Sequence, residues 1–284
     1  MSGRFGKDTG EFKLDSALGR LSALGFGENW SVSEFRRTLT KFGRSTNLAA
    51  DVRSTLWEVG PVHETYLMPA DGNLITVISS TDALDVGHII RVEGLYYDAD
   101  GRLVFLVQNV VSNGQNRVTL PTPLSRCTRL RDIDLFPLVG DLYAYQGAGT
   151  TDTAGLPDDL DFTHNVLKGT LGLRQSFKGS ATIGDKIALL VTDITFSISR
   201  RQATLIDFAF EVANFTVTGP NLPFGFLPAY GAITLNSAGK TAINLALDPV
   251  IIIPPNHEVR AVATSSASGA QGNITFSGYF AGQP

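Results

Sequence analysis

Apolar and polar positions alternate most regularly between Lys186 and Val217. Thr204, Ile206, Phe208, Phe210 and Val212 share one side of a two-residue period, and Leu205, Asp207, Ala209 and Glu211 share the other. That period belongs to a strand, because a helix would bring residues three and four apart together. Upstream, Ile194, Phe196 and Ile198 alternate with Thr195, Ser197 and Ser199, and the polar run 200–202 separates the two halves. The pattern predicts a long antiparallel hairpin. A lone hairpin is marginal in water, so other strands must cover its apolar face. The expected fold is all-β, a jelly roll or β-sandwich.

Three regions follow from the pattern. Residues 1–44 carry seven glycines and no strand alternation, which predicts an extended arm. Ser31 and Glu34 have capping-box spacing, and Phe35, Leu39 and Phe42 recur at helical intervals, so a short helix is expected there. Such a cap contributes roughly 1 kcal/mol, against about 1–2 kcal/mol for fixing each residue. The arm's apolar residues Phe26, Trp30, Phe35, Leu39 and Phe42, with Arg36 and Arg37 among them, therefore need a surface, either the chain's own body or another subunit. Residues 45–138 read as a small β domain, a meander turned at Asp98–Gly101 and Asn113–Gly114. Residues 139–284 read as the jelly-roll or sandwich domain, with about seven or eight strands after Asp141. Within it, the prolines of 218–231 exclude a central strand and leave Phe224, Phe226 and Tyr230 as a possible exposed contact loop.

Composition narrows the function classes. The 284 residues carry a net charge of −4, which argues against a general nucleic-acid binder. The charge is uneven: residues 1–53 hold nine Lys and Arg against six Asp and Glu, so the front is mildly basic and the body acidic. Cys127 is the single cysteine, expected as a small apolar residue in a protein assembled in a reducing cytoplasm. The polar start predicts no signal peptide, and no apolar run approaches the roughly 20 residues of a membrane span.

The search for chemistry finds no nucleophile elbow, phosphate loop, zinc-protease helix or dinucleotide fingerprint. His63, His88, His164 and His257 stand singly, without a second metal-type ligand at short spacing. Asp98, Asp100 and Gly101 fit turn chemistry better than a calcium loop, and the four aspartates of 152–161 fit a solvated loop. No enzyme activity, cofactor or metal is expected.

The order of motifs resembles the all-β virion structural proteins of tailed bacteriophages, particularly those that decorate or cement the capsid. The resemblance begins at Phe42-Gly-Arg44 and Trp57, and continues through 74–80 with Asp82, Asp85 and Gly87, then 90–95 with the turn at 98–101. It resumes at 139–145, 174–177, 181–184 and 186–188 and closes with 255–261 and 274–280, covering the chain beyond residue 42. It implies a non-enzymatic subunit on the outer surface of a phage head, made in the host cytoplasm. Its partners would be the major capsid protein and copies of itself, a trimer favoured over a dimer, with neither nucleic acid nor membrane. A receptor-binding or glycan-binding tail module is the alternative. There Tyr143, Tyr145, Phe224, Phe226 and Tyr230 would form an aromatic rim.

Overall fold

The computed structural model describes residues 37–58, 74–148, 150–198, 204–214, 227–236 and 241–282. The chain opens with β1 (Arg37–Leu48) and the two-residue β2 (Ser54–Thr55). Next come β3 (Ile75–Ser80), β4 (Val86–Tyr97), β5 (Leu103–Asn113), β6 (Val118–Leu124) and β7 (Arg126–Asp132). They are followed by β8 (Asp141–Tyr145), β9 (Asp152–Thr153), β10 (Leu156–Pro157) and β11 (Thr163–Lys168). The last group is β12 (Ser180–Thr182), β13 (Ile187–Ile198), β14 (Leu205–Asn214), β15 (Leu227–Asn236), β16 (Ala242–Ile253), β17 (His257–Ser265) and β18 (Ala270–Gly282).

The last group combines with β1 into two four-stranded antiparallel sheets, ordered β1-β18-β13-β16 and β12-β17-β14-β15, with β2 added to β17. Numbered among themselves, these eight strands run one-eight-three-six and two-seven-four-five, which is jelly-roll order. The alternation read from the sequence is the inward face of β14: Ile206, Phe208 and Phe210 are buried, while Leu205 and Asp207 face solvent. The expected hairpin does not form. β13 lies in one sheet and β14 in the other, so Phe196 meets Phe208 across the sandwich at a ring separation of 4.9 Å instead of beside it. Two strands with facing apolar sides satisfy the same pattern as two paired strands.

The strands β3 to β11 form a second unit inserted between the first and second strands of the jelly roll. A sheet ordered β11-β8-β3-β6 faces a three-stranded sheet ordered β5-β4-β7, with β9 and β10 as a separate ribbon. Between the sheets lies a distinct core that includes Ile78, Ile90, Val92, Leu124, Leu130 and Leu142. The small β domain therefore does not precede the jelly roll, and its boundary does not fall at 138/139. β8 and β11 belong to the inserted unit, because Val77 to Ser80 of β3 pair with Tyr145 to Leu142.

The arm expected over residues 1–44 also changes. Ser31, Glu34 and Phe35 lie outside the described residues, but from Arg37 the chain is a strand, not a helix. Pairing with β18, from Arg37 opposite Phe280 to Leu48 opposite Ala270, supplies the backbone hydrogen-bond partners a helix would otherwise provide. Leu39 and Phe42, three residues apart, point to opposite sides of that strand. β1 also comes very close to its neighbours at Gly43. A Cβ there would lie 2.4 Å from Gly179 Cα and 2.6 Å from the Leu56 carbonyl oxygen. Gly43→Ala is expected to cost about 1–3 kcal/mol of stability, read as a lower urea midpoint at an unchanged m-value.

The seam between the units is polar. Lys41 of β1 donates to the Thr128 carbonyl, and Arg129 donates to the Thr40 carbonyl. Arg126 of β7 pairs with Glu258 of β17 at 3.1 Å. Lys178 donates to the His164 carbonyl at 2.8 Å, and the Asp185 N–H donates to the Leu103 carbonyl at the tip of the β4–β5 hairpin.

Candidate interaction surface

Strand β5 of the β4–β5 hairpin carries apolar residues on both faces. Inward, Leu106 and Val110 pack into the core of the inserted unit. Outward on the edge strand β5, Phe105, Val107 and Val111 remain exposed, Val107 by 48% and Val111 by 58%. Register extends this strip sideways. Val111 stands opposite Ile89, whose carbonyl accepts the Ile133 N–H, so three exposed apolar side chains form a row across the sheet. Just beyond, Leu135 and Phe136 are 90% and 77% exposed. The centre of the face is charged, with Arg129 3.6 Å from Glu93 and Arg91 opposite Arg131. An apolar strip with a polar centre on an open sheet edge is suited to covering by another protein.

A cleft of about 360 Å³ continues this face into the seam, between Thr38 to Lys41 on one wall and Glu93, Phe105 and Arg129 on the other. Its buried amine is unusual. Burial, with Arg129 and Lys178 nearby, pushes the Lys41 ammonium down to about 7. Cys127, also buried, has its thiol pushed up to about 11 by burial, so it holds its proton at neutral pH. His164 is pushed well below its ordinary value by burial and by Arg126.

The residues expected to bind partners are placed unequally. Phe26, Trp30, Phe35 and Arg36 lie outside the described residues, as do Phe224 and Phe226. Arg37 opens β1 opposite Phe280, Leu39 packs against the jelly-roll core and lines the cleft, and Phe42 meets the Phe177 ring edge-on at 6.1 Å. The backbone of Tyr230 is part of β15, opposite Phe210, which places it on a strand and not on a loop. Tyr143 and Tyr145, proposed for a glycan rim, are buried. The Tyr145 hydroxyl lies 2.9 Å from Ser79 Oγ and 3.2 Å from Asp152, in a packed network.

The Asp98 turn is explained by its own hydrogen bonds: Oδ1 accepts the N–H groups of Asp100 and Arg102, and Gly101 adopts a φ of 74°. In the 152–161 loop, Asp152 pairs with Arg117, while Asp158 accepts the hydroxyls of Thr151 and Thr153, which lower its carboxyl. A cluster that spacing did not show is formed by His88, Asp132 and Asp134, brought together from opposite ends of β4 and β7. Among the described residues no helix is long and apolar enough to cross a membrane.

No family model matches the chain, and no curated protein matches it. A solved structure of infectious bursal disease virus, Gx strain, aligns with 87% of this chain and 81% of that chain at 10% identity. Its TM-score is 0.13, too low to bear on fold or function.

Proposed function

We propose that the chain is a non-enzymatic decoration protein of a phage capsid, bound to the outer surface of the head across contacts between major capsid protein subunits. The observation that carries this reading is the exposed apolar strip of Phe105, Val107 and Val111 on the edge strand β5, continued by Ile89 on β4, a surface suited to burial against another protein. The jelly roll and the order of motifs resembling capsid decoration proteins support it. In this reading the inserted unit is the shell-facing part. Copies of the chain meet around the symmetry axes of the shell, and each buries area that must be exposed again before subunits separate.

Co-sedimentation with capsid shells lacking the protein tests this directly. Three proteins are compared: the full chain, a chain beginning at Arg37 so that β1 stays whole, and Val107→Glu. Saturable binding of the full chain at a fixed ratio to shell subunits is expected, with Val107→Glu weakened by at least about tenfold, since a buried unpaired carboxylate costs several kcal/mol. Loss of binding by the chain beginning at Arg37 would assign the arm a share of the contact. Failure of the full chain to bind overturns the head assignment and favours the tail-module alternative, which is tested by glycan and receptor binding.

A further inference from the structure

The lower end of the β4–β7 pair holds an arrangement that the decoration reading does not use. Register places Ile90 opposite Asp132, and the Ile133 N–H donates to the Ile89 carbonyl. Continued by one step, the same register sets His88 opposite Asp134. The side chains of residues 88, 132 and 134 therefore project to one side of the pair. His88 Nδ1 lies 3.6 Å from Asp132 Oδ1 and 3.9 Å from Asp134 Oδ2.

Two features separate this cluster from an ordinary ion pair. His88 Nδ1 is shut off from solvent yet has no hydrogen-bond partner, its two carboxylate neighbours lying too far away. The Asp132 side chain is fully buried, and its Oδ2 also lacks a partner. Arg174, the nearby cation, donates to the Asp132 carbonyl. The unsatisfied imidazole nitrogen faces Oδ1 of a buried carboxylate whose other oxygen, Oδ2, is itself unsatisfied, and two such buried atoms are costly without a further partner.

The rest of the cluster is already oriented. Asp132 Oδ1 accepts the Asp134 N–H at 3.1 Å, Asp134 Oδ2 accepts the Ile89 N–H, and the backbone N–H of His88 donates to Ser112 Oγ at 3.1 Å. Backbone donors of this kind fix ligating carboxylates in known metal sites. Zinc bonds of about 2.0–2.2 Å to nitrogen and oxygen set tetrahedral ligand atoms roughly 3.3–3.6 Å apart. The two separations from His88 need to contract by only a few tenths of an ångström, and the three ligand atoms all lie within 4.8 Å of one another. Asp134, about one-third exposed just beyond β7, is the ligand with most room to move.

We infer that His88, Asp132 and Asp134 form a structural site for a first-row divalent cation, zinc in the first instance, held through His88 Nδ1 and one oxygen of each carboxylate. The side of Asp134 open to solvent leaves room for a water ligand. One imidazole with two carboxylates favours zinc over calcium or magnesium, which take mainly oxygen ligands. The bound ion ties the start of β4 to the exit of β7, beside the exposed apolar residues Ile89 and Ile133.

Isothermal titration of the full chain, stripped of metal by chelator, with zinc chloride is the test. Cobalt(II) spectra of the same protein report the coordination. One zinc per chain is expected, with a rise in Tm and with visible cobalt bands of low-symmetry coordination. His88→Ala and Asp134→Asn, each checked for native circular dichroism, should weaken zinc by at least about tenfold and remove the bands. Calcium and magnesium should give no saturable heat. An absence of one-to-one zinc binding overturns the site. Equal binding by wild type and both folded variants also overturns it, because the ion would then be held elsewhere.

Discussion

Glu258→Ala is expected to remove about 3–5 kcal/mol of stability, the usual cost of leaving one member of a buried ion pair without its partner. Glu258 belongs to β17 and Arg126 to β7, so the pair crosses from the jelly roll to the inserted unit. Their side chains are only 1% and 5% exposed. Arg126 has little in reserve. Its Nε donates to Glu258 and its Nη1 to the Ser125 carbonyl, while Nη2 has no partner, and the buried His164 lies near enough for the guanidinium to disfavour its protonation. Without Glu258 the cation must stay in the seam unpaired or draw the two units apart. Domains of this kind have about 5–15 kcal/mol in total, so the variant should unfold at a much lower urea concentration. Removing both charges separates pairing from packing. Arg126→Met with Glu258→Leu should recover most of the loss, since apolar replacements of buried pairs are often neutral or better. A loss below about 1 kcal/mol for Glu258→Ala would show that water already enters the seam.

The seam also explains what was legible in the sequence. β14 was readable because Ile206, Phe208 and Phe210 face one continuous apolar core. Alternation specifies a face and not a neighbour, so it predicts that β13 and β14 are strands but does not fix their partners. β1 gave no such signal. Its buried positions include Lys41, which reaches the second unit, Gly43, which lies against close backbone, and Ser45, and none of the three is an apolar side chain that would show the alternation. The spacing of Leu39 and Phe42 then fitted a helix equally well, and the insertion of one unit into the other went unseen. The Asp98 turn was legible because its chemistry is local. The His88 cluster was not, because 44 residues separate His88 from Asp132 and only the β4–β7 register brings them together.

Lys41 is the group through which the seam should respond to pH. Its ammonium is lowered from 10.5 to about 7, first by burial, then by Arg129 and Lys178, with Cys127 and Glu93 acting in the opposite direction. Between pH 7 and 10.5 the unfolded chain binds a proton at this site that the folded chain does not, so stability rises with pH across that window. Below pH 7 both states are protonated and the full penalty of the buried charge is present. From pH 7 to pH 9 the gain should be about 2 kcal/mol. Above that range Cys127 opposes it. Its thiol, ordinarily near 9, is raised to about 11 by burial, so the stability it contributes below pH 9 is lost between 9 and 11. The two slopes cancel near the middle of the overlap, so stability should pass through a maximum at about pH 10, well above the sequence isoelectric point of 5.6. Lys41→Met removes the rise. It gives up the hydrogen bond to the Thr128 carbonyl, worth about 1 kcal/mol, and the larger cost of the buried charge, so at pH 6 it should be more stable than wild type. Urea unfolding of both proteins at pH 6, 7, 8 and 9 measures this. Parallel curves for the two would mean that the Lys41 amine reaches water, and the seam would then have to be open at the cleft between β1 and the inserted unit.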